Sequence, residues 1–180
     1  MGKKTNAFLQ RKFDKELEIN AERAKEGIHD LIIVLDHLKG NFNMGKIMRT
    51  AEIYSVREVH IIGTKFFDPT IAKGALKRVK IYFYDSFEES INRVKKLGFT
   101  PITFDSKTDN YLSSVKLPEK VAFIFGHEEF GPLYDKDLHP DVQMVKIKQY
   151  GLTESLNVSV AASIAMYEYT RQYGKDIAQI

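Results

Sequence analysis

The chain has 180 residues, 43% hydrophobic and 28% charged, with a formal net charge of +3. That length and balance predict a soluble globular protein with room for a sizeable core. It contains no cysteine, which excludes disulfides, thiolate metal sites and cysteine nucleophiles, and no apolar run approaches the ~20 residues that span a bilayer. The opening MGKKTNAFLQRKF is basic but lacks the apolar core of a secretory signal, which places the chain in the cytoplasm.

Residues 8–27 read as a charged helix, an appendage rather than core, so residues 1–28 are taken as an N-terminal extension to a domain over 29–180. LIIVLD (31–36) is a continuous apolar run ending in an acid, as in a buried strand. Ile47, Ala51 and Tyr54 recur at helical spacing in 44–55, followed by a strand at 58–63. Residues 70–79 predict a short helix weakened by Gly74, and 80–85 a third strand. Over 86–98 the helix signals are explicit: Ser86 as N-cap, Glu89 three residues on, Gly98 as stop. Strands follow at 100–105, 120–126 and 141–147, and the stretch ESLNVSVAASIAMYEY opens a last helix. This alternation predicts an α/β fold with a mostly parallel sheet covered by helices on both faces.

In such sheets ligands collect at the carboxyl ends of the strands, here the loops 36–45, 63–70, 105–118, 126–132 and 147–155. Neither a G-x-G-x-x-G nor a Walker A sequence is present, so a standard dinucleotide or P-loop site is not expected. The histidines at 29, 37, 60, 127 and 139 lack metal-ligand spacing, and His127-Glu128-Glu129 is not H-E-x-x-H; no metal is expected. Two stretches carry bases without acids: Lys3, Lys4, Arg11 and Lys12, then Lys73, Lys77, Arg78 and Lys80. Either is compatible with a phosphate backbone as partner, or with a solvated face.

Three loops are unusual. GNFNMGKIMRTA (40–51) sets Asn43 and Gly45 at a helix start with Arg49 among Ile47, Met48 and Ala51, a placement that suggests a partly buried arginine. A capping Asn and a snorkelling Arg would also explain it. FGHEEFGP (125–132) frames Glu128 between two glycines, which permit close backbone approach or an irregular turn. IKQYGLTESLNVSVAA (147–162) begins a helix with Ser155, Asn157 and Ser159, and Ser163 follows; an N-cap accounts for one or two of these, not the run.

In order and content the three resemble the motifs of the SpoU (TrmH) family of RNA 2′-O-ribose methyltransferases, in the SPOUT class. The first motif corresponds to Asn43-Met44-Gly45…Arg49-Thr50-Ala51, the second to Phe125-Gly126-His127-Glu128…Gly131, and the third to Ile147 through Ser155-Leu156-Asn157-Val158-Ser159-Val160-Ala161. The resemblance covers about residues 30–172; Asn41 and Pro132 depart from it without touching these positions. It implies a C-terminal deep trefoil knot and S-adenosylmethionine as cofactor, held at Gly126, Ile147 and Leu156 with Gly131 and Gly151 shaping the loops. It further implies that Arg49 holds or activates the substrate, Asn43 and Glu128 orient it, and Ser155 and Asn157 bond the motif loops and the ribose or phosphate. Ser155, Ser159 and Ser163 would form one helical stripe. The partners implied are tRNA or rRNA and a second copy in a homodimer that draws Arg49 and the cofactor pocket from different subunits. Lys73, Lys77, Arg78, Arg11 and Lys12 are then the candidate RNA surface. A catalytically silent RNA-binding protein, or a small-molecule methyltransferase, are the other readings.

Overall fold

A computed structural model describes the backbone of residues 3–39 and 41–176; residues 1–2, Gly40, the side chains of Lys3, Lys4, Thr5 and Asn41, and residues 177–180 of the expected domain lie outside the described residues. Six strands form one parallel sheet: β1 His29–Asp36, β2 Val56–Ile62, β3 Ile81–Tyr84, β4 Thr100–Phe104, β5 Val121–Phe125 and β6 Gln143–Val145. Their order is β3-β2-β1-β5-β4-β6. β1 is therefore central, paired in parallel with β2 on one side and β5 on the other. The order changes direction between β1 and β5, the kind of point whose carboxyl-end crevice receives ligands in open parallel sheets.

Strand residues alternate between two cores. Leu31, Ile33, Leu35, Phe123 and Phe125 face a large cluster, while Ile32, Val34, Ala122 and Ile124 face a smaller one. The first cluster lies under α2 Asn41–Ile53 and α4 Val158–Tyr173, through Ile47, Met48, Ala51, Ala162, Ala165, Met166 and Tyr169. The second lies under α3 Phe87–Lys96, through Phe87, Ile91 and Val94. Helices thus cover both faces, as expected. Ser86 caps α3 by accepting from the Glu89 N–H, as the sequence signals require.

Two elements differ from expectation. The N-terminal helix, α1 Lys3–Arg23, is not an appendage: Phe13 is buried in the main core, edge-on to Phe66 and Phe67. Asn20 of the same helix, also buried, donates to the Leu76 and Val79 carbonyls at 2.6 Å each. The overall charge of the helix masks a narrow stripe, Leu9, Phe13 and Asn20, that faces inward. The helix expected at 70–79 shrinks to a single 3₁₀ turn, Ala75–Lys77. Lys73 and Gly74 take φ values of 51° and 82°, which no right-handed helix accommodates.

The α3 face also holds a polar network whose centre, Glu58, His60 and Ser90, is buried and whose outer end, Arg93, is half-buried. Glu58 and His60, two apart on β2, point to the same side. His60 contacts Glu58 through Nε2 at 2.8 Å and Ser90 through Nδ1 at 2.7 Å. Arg93 donates to both Glu58 oxygens, at 2.8 and 2.9 Å, and lies 4.0 Å from the centre of the Tyr82 ring. Burial alone would raise the Glu58 carboxyl, but the hydrogen bonds and charges of His60 and Arg93 outweigh it and hold it at about 2. Burial pushes His60 down, against the pull of that carboxylate. A neutral ring that donates from Nε2 and accepts at Nδ1 satisfies both contacts. The Ser90–His60–Glu58 connectivity is that of a hydrolytic triad. All three residues are 0% exposed, so no substrate reaches them and the network is structural. Among the described residues no helix is long and apolar enough to cross a membrane.

Candidate active site

The loops after β1, β5 and β6 meet at the switch point, and side-chain amides join them. The Glu128 carboxylate accepts from the Lys39 backbone N–H at 2.6 Å and from the Asn43 amide at 2.9 Å. The Asn43 oxygen accepts in turn from the Asn157 amide at 3.2 Å. The Asn157 oxygen caps α4, accepting from the Ser159 N–H at 3.0 Å and the Ser159 hydroxyl at 2.6 Å. Every amide in this chain donates toward the carboxylate and accepts from the helix side, so the orientation of both is fixed by their partners. The cap itself is worth about 0.5–2 kcal/mol. One line of polar atoms thereby couples α2, the post-β5 loop and the start of α4.

Each loop is closed by its own device. Buried Asp36, at the end of β1, accepts from the Leu133 N–H at 3.3 Å and contacts the His37 ring at 2.8 Å. Past β5, the Gly131 N–H donates to the His127 carbonyl at 2.8 Å, with Gly131 at φ 69°. A Cβ on Gly126 would stand 2.4 Å from the Gly131 carbonyl carbon and from Pro132 N. Gly126→Ala is therefore expected to force this loop open and lower stability by about 1–3 kcal/mol. An unshifted urea midpoint for the variant would show that the loop yields freely. Gly45 lets α2 approach equally closely, since a Cβ there would lie 2.5 Å from that of Ile71.

Residues 30–167 match the SpoU rRNA Methylase family. The chain belongs to that family. It is 28% identical over 150 residues to the 23S rRNA (guanosine-2′-O-)-methyltransferase RlmB of Nitrosomonas europaea, aligning 81% of this chain with 57% of that protein. It thus spans little more than half the length of that relative. The fold superposes with a TM-score of 0.71 on the TrmH/SpoU tRNA modifying enzyme of A. aeolicus, at 25% identity, covering 92% of this chain and 84% of that one. A TM-score of 0.71 also relates it to an AdoMet-bound rRNA methyltransferase from Sinorhizobium meliloti, at 21% identity over 85% of this chain and 59% of that one.

Of the residues that the SpoU motifs single out, the structure brings Asn43, Glu128 and Asn157 together. It does not bring Arg49 to them. Arg49 is exposed on α2 rather than partly buried, and among the described residues it has no hydrogen-bond or ion-pair partner. The physical reason is the helical spacing: Ile47, Met48 and Ala51 fill the inward stripe of α2, leaving position 49 outward beside Phe42, Lys46 and Ile53. Ser155 also departs from expectation. The helix starts only at Val158, so Ser155 is an exposed loop residue and the stripe reduces to Ser159 and Ser163, whose hydroxyl bonds back to the Ser159 carbonyl at 2.8 Å.

Ile147 packs against the main core, and Leu156 is 41% exposed. Gly151 has open space where a Cβ would stand and no positive φ, so nothing in its surroundings requires glycine. The basic candidates lie elsewhere and are largely paired. Lys12 and Lys77 each approach Glu16 at 4.0 Å, and Arg78 bonds Glu52 at 2.7 Å. Lys77 and Arg78 line a cavity with Arg23 and Lys25 at the amino end of the sheet, opposite the motif loops. Arg11 and Lys73 are exposed. Sequence reasoning missed Asp36 and the Lys39 N–H as loop anchors; the acid that ends LIIVLD was the available signal for the first, and a backbone donor leaves none.

Proposed function

We propose that this chain transfers a methyl group from S-adenosylmethionine to a ribose 2′-hydroxyl of RNA, either tRNA or rRNA. The observation that carries this reading is the hydrogen-bonded line Glu128–Asn43–Asn157, which ties all three family motifs into one place at the sheet's switch point. The loops also fit the cofactor. Beyond the adjacent residues of the chain, no atom lies within 4 Å of the position a Cβ would take on Gly131 or Gly151, and Leu156 adds exposed apolar surface on the same loops. Gly126, Ile147 and Leu156 would hold the cofactor, which supplies an electrophilic methyl group on a sulfonium.

The remaining work falls to the chain's own residues. Arg49, whose planar guanidinium presents paired N–H donors and no acceptor, acts as a bidentate clamp on a phosphate beside the target ribose rather than as a base. Glu128 spends both carboxylate oxygens on Lys39 and Asn43, so it positions loops and does not accept the proton. The ribose proton then passes to solvent, with Ser155 and Asn157 orienting the hydroxyl. Holding the hydroxyl in line with the methyl is the main contribution of such a site.

The acting species is a homodimer. Phe42 and Ile53 of α2, 58% and 65% exposed, and Val160 and Tyr167 of α4, 46% and 58% exposed, leave an apolar surface around Arg49 on two helices that pack together. A second copy seated there would cover it and give Arg49 a site to serve. The test is transfer of labelled methyl from S-adenosylmethionine to separate unmodified tRNA and rRNA fractions. Label mapped to a 2′-O-methyl nucleotide supports the reading and names the RNA class. Bound cofactor without transfer would point to another RNA or a required partner, and absence of both transfer and cofactor binding would overturn the reading in favour of a silent RNA-binding protein.

A further inference from the structure

The segment after β6 has two dissimilar faces. Ile147 turns inward onto the main core, while Lys146, Lys148 and Tyr150 alternate with it along KIKQY. The segment is held extended by its neighbour: the Lys146 N–H donates to the Asn110 carbonyl at 2.8 Å and the Leu112 N–H to the Lys146 carbonyl at 2.9 Å. This pairing puts Tyr111 beside the lysines. The Lys146 ammonium lies 4.9 Å from the Tyr111 ring centre, and that of Lys148 lies 5.5 Å from Tyr111 and 5.3 Å from Tyr150. The result is a ladder of alternating cations and rings. Tyr150 ends it 89% exposed, followed by fully exposed Leu152. Only Lys146 has an acid near, Asp109 at 3.3 Å; among the described residues Lys148 has none.

We infer that this ladder binds a single-stranded segment of the RNA substrate, with a base stacked on Tyr150 and backbone phosphates held by Lys148 and Lys146. Ring faces set beside cations, here with Lys148 left without an acid among the described residues, are what sequence-tolerant single-strand binding uses. A ladder needed only for folding would not leave its terminal ring open to water. Its position suits the task, because Asn157 lies seven positions after Tyr150, a reach of at most about 25 Å. It also replaces Lys77 and Arg78, which are paired with acids at the far end of the sheet. This inference rests on the proposed activity.

The test compares wild type with Tyr150→Leu, Tyr150→Phe and Lys148→Ala. Fluorescence anisotropy would follow a labelled oligouridylate, calorimetry would follow S-adenosylmethionine, and the KM for RNA would be measured in methyl transfer. Tyr150→Leu is expected to weaken oligouridylate binding about tenfold or more and raise the RNA KM, with cofactor affinity unchanged. Tyr150→Phe keeps the ring and should bind like wild type. Lys148→Ala should flatten the salt dependence of binding by roughly one ion. Oligouridylate binding unchanged in Tyr150→Leu would overturn the inference while leaving the activity standing. If binding is unchanged but self-association falls, the surface is a protein contact instead. Ring-dependent RNA binding by a wild type that methylates no RNA would keep the surface and sink the activity.

Discussion

Arg49→Ala is expected to reduce methyl transfer by about 10²–10³-fold while leaving S-adenosylmethionine affinity intact. The size follows from what the side chain can do. A guanidinium stays protonated and presents two parallel donors to a phosphate, so its loss releases the nucleophile's ribose from its orientation rather than removing a base. Arg49→Lys keeps the charge and loses the fork, and should recover only part of the rate. In its own chain Arg49 is exposed and unpaired among the described residues, while the motif loops proposed to hold the cofactor are tied together by Glu128 and Asn157. If the two halves of a site come from different copies, inactive Arg49→Ala and inactive Gly126→Ala chains should complement when refolded together. Random pairing would return about a quarter of wild-type activity, because half the dimers are mixed and each mixed dimer holds one intact site. No recovery, with mixed dimers verified, would place Arg49 and the cofactor in one subunit.

Glu58→Ala should destabilise the fold by about 3–5 kcal/mol at neutral pH. The substitution leaves half-buried Arg93 without its bidentate partner, empties a fully buried side-chain site and removes the acceptor for buried His60. The same network sets the response to acid. His60 is held below its ordinary 6.5, so the unfolded chain takes up a proton that the folded one refuses, and stability begins to fall as pH drops through about 6.5. Glu58 is held at about 2 against an ordinary 4.5, so its contribution is complete above 4.5 and is lost as pH falls from there toward 2. That second loss amounts to about 3 kcal/mol. Urea unfolding of wild type at successive pH values should show both declines, and the Glu58→Ala protein should lack the lower one. A variant as stable as wild type at pH 7 would mean that the buried charges are replaceable by a neutral core.

What the sequence determined is what local chemistry encodes. Apolar runs such as LIIVLD, the Ser86 and Glu89 capping signals, and the strand–helix alternation placed every strand of the parallel sheet to within a few residues. SLNVSVA and its two companion motifs pointed to the family, because their residue types and order are unusual for any other purpose. Other features depended on packing. Phe13 lies in a helix whose composition is polar, and only the neighbouring Phe66 and Phe67 make its stripe a core face. Lys73 and Gly74 adopt left-handed backbones that end a helix the spacing had favoured. Ser155 missed its helix because Asn157, two residues later, found the Ser159 N–H to cap. Arg49 turned outward and the basic cluster at Lys77 and Arg78 met Glu16 and Glu52 across the fold. A sequence records which side chain stands at each position, but whether a charge is met, a helix is capped or a face is covered depends on groups far away in the chain. Only the folded structure brings those groups within a few ångströms of one another, and there the balance of burial against pairing is decided.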